Sequence, residues 1–501
     1  MSKLDKLRQK NEEALMAGGQ EKIDAQHKAG KKTARERIEA LFDDSSFVET
    51  DKFLKRTFAT PGYEAKTEAG EGVVCGYGTV DGRPVFVFAQ DYTVLSGSLS
   101  AAHAQKIIKT IDTAVKNGVP VIGILDSDGA RVSEGVSAID SYAAILKTLN
   151  EVSGVIPTIT VVAGNCIGTV AYIAATTDFC FTINDISTIA LHGPQIYAST
   201  LGAEIDVANA FTAQTHNELT GVSQFLADTE DTCYGMVKKL LSFLPSNNLE
   251  ECPYVMPNDD INRQIAAGEN YVYDPKELIG SVADNNDYLE FQQYYSPEVI
   301  TAFGRVGGNV VGFVANDAQA RVGGHGARKA ARFISLLDAY NIPIVTFTNC
   351  AGTPVEKERP MTISNMARLI SAYSQAGVPL VNVIVGKAIG DGYAMMCPKS
   401  IGADMVYAWP EAEITALPLE TGAIVMYEDE IGKADDGIAA KQEMIDKYKL
   451  EYANPWQAAE QGVIDDIIDP AATRQMVAAA LEMSISKRDS KLAKKHNVTP
   501  L

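Results

Sequence analysis

The sequence predicts an α/β protein made of two tandem copies of one domain, and two observations carry that expectation. Three segments recur in order across about half the chain. "GTVDGRPVFVFAQD" (residues 78–91) lines up with "GRVGGNVVGFVAND" (304–317), and "VPVIGILDSDG" (119–129) with "IPIVTFTNCAG" (342–352). The third pair is "IPTITVVAGNCIG" (156–168) with "VPLVNVIVGKAIG" (378–390). Order is kept and the offset is nearly constant, which is the mark of an internal repeat. Within each copy, short β-branched runs are followed by glycine-containing turns and then by helical segments. Such alternation indicates buried, largely parallel strands with helices packed on them.

Along the chain, residues 1–45 read as a charged helical arm, either solvated or docked on a partner subunit. The first domain is expected over 1–250. In it, "AAHAQKIIKTIDTAVKNG" places Ile107, Ile108, Ile111, Ala114 and Val115 at helical spacing and closes on Gly118. The polar, Pro- and Asn-containing stretch 251–270 reads as a linker. The second domain is expected over 271–501, where "ARKAARFISLLDAYN" (327–341) repeats the helical pattern.

A chain of 501 residues exceeds what one core serves. Its 46% hydrophobic and 22% charged content is that of a globular enzyme. No apolar run approaches 18 residues, so no direct membrane insertion is expected. The charged start lacks an apolar signal core, which makes the cytoplasm the expected location. A net charge of −20 disfavours nucleic acid or an anionic membrane as partner, while leaving room for a phosphorylated ligand on local cations. Seven cysteines without CxxC spacing and six scattered histidines give no expectation of disulfides or of a metal site.

Chemistry is expected at the glycine turns. Each copy has two of them after strands: "DSDGAR" (126–131) and "GNCIGTVAY" (164–172), then "NCAGTP" (349–354) and "GKAIGDGY" (386–393). The N–H groups of Gly168 and Thr169, and those of Asp391 and Gly392, open helices and are free to donate. Paired N–H donors suit a thioester carbonyl that becomes an enolate. The plainer reading is a chain reversal, but the turn recurs at the same place in both copies. No G-x-S-x-G, HExxH or P-loop occurs. No Glu or His lies between Gly168 and Asp178 to act as a base. The expected chemistry therefore rests on backbone dipoles, with substrate or cofactor supplying the base.

These residues carry a resemblance. "GGQEKIDAQHKAGKKTARERIEALFDDSSFVE" (18–49), "GEGVVCGYGTVDGRPVFVFAQDYTVLSGSLSAAHAQK" (70–106), "DSDGARVSEGV" (126–136), "MVYAWPEAEI" (405–414) and the tail "KKHNVTPL" resemble the carboxyltransferase (β) subunits of biotin-dependent acyl-CoA carboxylases. That family includes the propionyl-CoA carboxylase β subunit, the large transcarboxylase subunit and the methylmalonyl-CoA decarboxylase α subunit. The resemblance implies two tandem crotonase-like domains, the first holding acyl-CoA and the second holding biotin. It implies biotin borne on a separate carrier protein, a biotin carboxylase or decarboxylase subunit as further partner, and a hexamer. Carried over by motif, Gly168, Thr169, Asp391 and Gly392 become catalytic backbone positions. Gly352, Gly390 and Tyr393 fall on the cofactor side, and Gly129, Ala130, Arg131 and Ala394 on the substrate side. Arg321, Arg328 and Lys329 join Arg131 as candidate cations for the CoA phosphates by charge.

The chain departs from the family's pattern in its turns. Asp128 stands where the family has the first glycine of D-S-G-G-A-R, and Thr169 where it has the second glycine of C-A-G-G-A. The family's D-V-P-G-F is here residues 349–353, "NCAGT", and "VEKERPMTISN" (355–365) replaces the glycine-rich stretch that follows. Asp391 stands in place of a glycine of Y-G-G-A-Y. A carboxylate about 4 Å from a biotin oxyanion would cost roughly 4 kcal/mol at an effective dielectric near 20. The direction of Asp391 therefore separates a working carboxyltransferase from a structural paralogue in a mixed complex, or from an acyl-CoA enzyme without biotin. Reversal, as in a decarboxylase or transcarboxylase, is an equal alternative because the partner subunits set direction.

Overall fold

The computed structural model describes residues 2–55, 70–202, 204–267, 273–317, 321–355, 361–487, 489, 492–496, 498 and 500. They form two compact units, Met1–Glu251 and Cys252–Leu501.

The sheet of the first unit runs Val48–Thr50, Val73–Val80, Arg83–Gln90, Val121–Ser127, Thr158–Ile167, Phe179–Ile183, Phe225–Ala227. Thr188–Ala190 lies beside the end of Thr158–Ile167. The first three strands are antiparallel, and from Arg83–Gln90 onward all pair in parallel. The second unit repeats the plan. Its order is Tyr288–Phe291, Val299–Val306, Asn309–Asn316, Ile344–Cys350, Leu380–Ile389, Met405–Ala408, Asp466–Ile467, with Glu413–Thr415 beside the end of Leu380–Ile389.

The helix Ala101–Asn117 shows how local sequence sets this architecture. The Ser100 hydroxyl caps it by accepting the His103 N–H, and Gly118 closes it in the left-handed region at φ 62°. Ile107, Ile111 and Ala114, on one helical face, are fully buried, while Ile108 and Val115 pack at its margin. Gly324–Ala339 packs likewise in the second unit through Ala327, Ile334 and Leu337.

Each sheet carries one irregularity in register, between Leu125 and Ser127 in the first unit and between Thr348 and Cys350 in the second. Beyond these bulges the two central parallel strands leave the regular ladder and run into the glycine turns. The shared break is what places the turns side by side.

Two expected boundaries read differently in three dimensions. Stretch 251–270 is no free linker over its described part, because Ile265 and Ala267 enter the core of the second unit and Val255 N–H donates to the Gly308 carbonyl. Residues 268–270 lie outside the described residues. The arm is three helices, Lys3–Leu15, Gln20–Lys28 and Ala34–Leu41. Lys3–Leu15 is exposed but for buried Ala14 and half-buried Asn11, whereas Ala34–Leu41 buries Ala34, Arg37, Ile38 and Leu41 within its own unit. Those four residues lie on one helical face, a stripe that the charges around them mask in the sequence.

Candidate functional site

In the first unit, Asp126 stands at the bulge with no exposure to solvent. Its carboxylate accepts the Asn165 N–H at 3.1 Å, the Gln26 amide at 3.0 Å and the Arg37 guanidinium at 3.0 Å, with Lys31 at 3.2 Å. A side chain on Gly164 would strike that carboxylate, since its Cβ would lie 2.1 Å from Oδ1. Arg37 also bonds Glu230 at 3.0 Å and the Ala163 carbonyl at 2.5 Å. Burial would lower the Arg37 pKa, but Asp126 and Glu230 outweigh it and hold the guanidinium charged. Sequence reasoning missed this cluster. The available signal was the glycine shared by "VAGNCIG" and "IVGKAIG", which marks a close approach in both copies.

Above Asp126 the two turns meet. Gly129 adopts φ 105°, and a Cβ there would lie 2.8 Å from the Ile167 carbonyl. Gly168 adopts φ 85° and opens the 3₁₀ turn Gly168–Val170, which leads into the helix Ala171–Thr176. The structure thus brings Gly129, Ala130, Gly168 and Thr169 together. The segment before the helix Ala101–Asn117 pins the first turn: Leu99 N–H donates to the Gly129 carbonyl and Arg131 N–H to the Leu99 carbonyl, both at 2.9 Å.

Arg131 faces inward. Its guanidinium bonds the Glu71 carboxylate at 2.6 Å and the Ser98 carbonyl at 3.1 Å, and the residue is buried. It therefore positions the turn and does not extend toward a phosphate. Asp128 is exposed, and its two oxygens take the Tyr92 hydroxyl at 2.9 Å and the Asn165 amide at 2.7 Å. Burial and the Asp128 charge push Tyr92 up to about 12, so it stays a hydroxyl donor.

In the second unit Asn349 takes the place of Asp126. Its side-chain oxygen accepts the Lys387 N–H at 2.8 Å, and a Cβ on Gly386 would lie 2.5 Å from that oxygen. Gly352 has φ 97° and Gly390 φ 56°. Gly392 packs so closely that a Cβ would lie 2.6 Å from the Cys350 carbonyl and 2.7 Å from the Gly352 nitrogen. No cation reaches Asn349 among the described residues.

Asp391 opens the short helix Asp391–Met395, and its carboxylate turns onto the neighbouring turn. Oδ2 accepts the Thr353 N–H at 3.2 Å. Gly352 makes the room, since a Cβ there would lie 2.6 Å from Oδ1. Gly352, Asp391 and Gly392 are therefore brought together, with Gly390 and Tyr393 beside them. These last two line a cavity of about 510 Å³ with Thr415, Tyr448, Gln457 and Gln461. Ala394 is exposed and does not line this cavity. Of the replacement stretch 355–365, residues 356–360 lie outside the described residues.

The remaining candidate cations are engaged locally. Arg321 donates to the Thr353 carbonyl at 3.0 Å, and Arg328 lies 5.1 Å from the Tyr295 ring centroid. Lys329 is buried with Nζ on the Tyr295 carbonyl at 3.0 Å, and burial pushes it down to about 7. Lys329 is thus an interior clamp and not a surface cation. Cys166 and Cys350, at the feet of the turns, have thiols pushed up by burial, which removes them as nucleophiles.

A carboxyl transferase domain model matches residues 25–499. The chain belongs to the carboxyl transferase family. Its relatives include the carboxyltransferase subunit of propionyl-CoA carboxylase from Haloferax mediterranei, 40% identical over 100% of this chain and 99% of that one. The α subunit of methylmalonyl-CoA decarboxylase from Veillonella parvula is 41% identical over the same shares. The crystal structure of a transcarboxylase 12S hexamer with methylmalonyl-coenzyme A bound superimposes with a TM-score of 0.94, at 36% identity, over 99% of this chain and 98% of that one. This carboxyltransferase thus shares the two-domain crotonase-like fold.

Proposed function

We propose that this carboxyltransferase moves a carboxyl group between biotin on a separate carrier protein and a short acyl-CoA of the propionyl-CoA/methylmalonyl-CoA class, working as a hexamer. Seven free cysteines fit a reducing compartment, and we place the protein in the cytoplasm. Relatives that carry propionyl-CoA and methylmalonyl-CoA in their names align over 97–99% of their lengths and support the substrate class.

The observation that carries the reading is the repeat of one device: a positive-φ glycine at a strand end, facing a second glycine turn, once in each unit. In the first unit the Gly168 and Thr169 N–H groups face the acyl thioester and hold the oxygen as charge develops on it. A preorganised donor of this kind is worth about 2.7–4 kcal/mol in the transition state. Gly129 and Ala130 form the opposite wall, and Arg131, bound to Glu71, keeps that wall in place. On the cofactor side, Gly352, Gly390 and Gly392 make a glycine-lined cradle onto which the Asp391 carboxylate turns, with Tyr393 at its wall. Biotin, when bound, supplies the carboxyl group and the base for the acyl α-proton. The chain's own part is to orient both groups and to offer donors where charge grows.

The test is carboxyl exchange. Purified protein with biotinylated carrier and carboxyl-labelled methylmalonyl-CoA should move label to the carrier's biotin and leave propionyl-CoA, and a decarboxylase or transcarboxylase assembly would show the same half-reaction. The Asp391 carboxylate on the second turn favours one further reading, a non-catalytic subunit beside an intact paralogue. Absence of exchange with every short acyl-CoA, with carrier present, would select it.

A further inference from the structure

The second turn of this chain already holds an anion, and that anion is its own. We propose that Asp391 is the resident occupant of the second turn, so that the cofactor-side ligand binds only by displacing this carboxylate; the proposal rests on reading that turn as the cofactor side. Three observations carry it. The carboxylate reaches across from the start of one turn to the other and takes the Thr353 N–H at 3.2 Å. The surface it covers is the side-chain-free one, because Gly352 leaves 2.6 Å between a would-be Cβ and Oδ1. The corresponding position in the first unit is Thr169, which carries no charge, and Gly129 there faces the Ile167 carbonyl instead of a carboxylate. The occupation is therefore particular to one of two otherwise similar turns.

A ligand oxygen that carries negative charge competes with this carboxylate for the same donor and is repelled by it while the carboxylate stays. Displacement costs the ligand a charge-assisted hydrogen bond. Because Asp391 is exposed, the carboxylate has solvent to move into once released. The residue thus acts as a gate: a weakly bound ligand leaves the turn closed, and a ligand that brings further contacts opens it.

The test uses the full chain with Asp391→Gly, which restores the side-chain-free turn, and Asp391→Asn, which keeps an oxygen acceptor without charge. Hydrogen exchange over residues 349–355 reads the Thr353 N–H directly, with thermal unfolding as the check on folding. Protection should fall at least tenfold at Thr353 in Asp391→Gly and persist in Asp391→Asn. Affinity for the biotinylated carrier, measured by surface plasmon resonance, should rise at least tenfold in Asp391→Gly and by less in Asp391→Asn. In steady state the KM for carrier should fall with it. Unchanged protection, or an affinity that is unaltered or weaker in Asp391→Gly, would overturn the gate. Loss of protection in a chain that exchanges no carboxyl group in any form upholds the resident carboxylate and removes the proposed function instead.

Discussion

Asp126 and Asn349 occupy the same place in the two units, and nearly everything around them is shared. Gly164 and Gly386 make room for them, and the Asn165 and Lys387 N–H groups bond to them. Side chains from the preceding strand, Gln90 and Asn316, accept their own N–H groups at 3.3 and 3.0 Å. The difference is one charge. A neutral amide closes its network within the sheet, whereas a buried carboxylate must be paired. The first unit meets that need with Arg37 and Lys31 from the N-terminal arm, backed by Glu230. The arm is thus the counter-charge of a strand-end acid, and it anchors the floor beneath the glycine turns of the first unit.

The largest effect should come from removing that counter-charge. Arg37→Met leaves Asp126 with Lys31 alone and takes the guanidinium from buried Glu230, and breaking a buried pair costs about 3–5 kcal/mol. Both tryptophans, Trp409 and Trp456, lie in the second unit, so their fluorescence follows that unit while far-UV circular dichroism follows both. In urea, the circular dichroism transition should split, with an early phase that fluorescence does not see. A single unshifted transition would show that the arm is dispensable.

The converse change should cost somewhat less. Asn349→Asp gives the second unit the charge of the first without its cations. A loss of about 3 kcal/mol is expected near neutral pH, this time in the fluorescence transition. Burial without a cation raises the new acid's pKa, so the lost stability should return as acid protonates it and disappear again as pH rises. Equal stability of variant and wild type at pH 8 would mean that the site takes up a charge unaided, and the comparison would fail.

Much of this was legible in the sequence, and the gaps have physical causes. The repeat located both pairs of turns, because a positive-φ glycine at a strand end leaves its mark in the residue itself. The Asp126 cluster left little trace, since its partners Arg37 and Glu230 lie 89 and 104 residues away along the chain and nothing local pairs them. The stripe Ala34, Arg37, Ile38 and Leu41 was hidden by the charged residues around it. The direction of Asp391 could not be read at all. An acid in the first turn of a helix is favourable whether it faces solvent or a neighbouring turn, and only the bond to Thr353 decides between them.

The smallest of the three effects concerns pH and again divides the units. His103 is fully buried in the first unit. Its Nδ1–H donates to the Glu71 carbonyl at 3.1 Å, and Nε2 lies 3.5 Å from the Gln90 amide. Burial, with Arg131 and Lys106 adding to it, pushes the imidazole down to about 3. In the unfolded chain it titrates near 6.5. The unfolded state therefore takes the proton first. Stability from the neutral ring is complete above pH 6.5 and drains away as pH falls toward 3, by about 2 kcal/mol at pH 5. The second unit has Gly326 at this place, where a Cβ would lie 2.7 Å from a Val299 methyl group, so no such group titrates there. Going from pH 7 to pH 5, His103→Gln should lose about 2 kcal/mol less than wild type in the circular dichroism transition of the first unit. The fluorescence transition should respond to pH alike in both proteins. If His103→Gln retains the full wild-type pH dependence, the buried ring contributes nothing to the acid sensitivity of the first unit, and this difference between the units falls away.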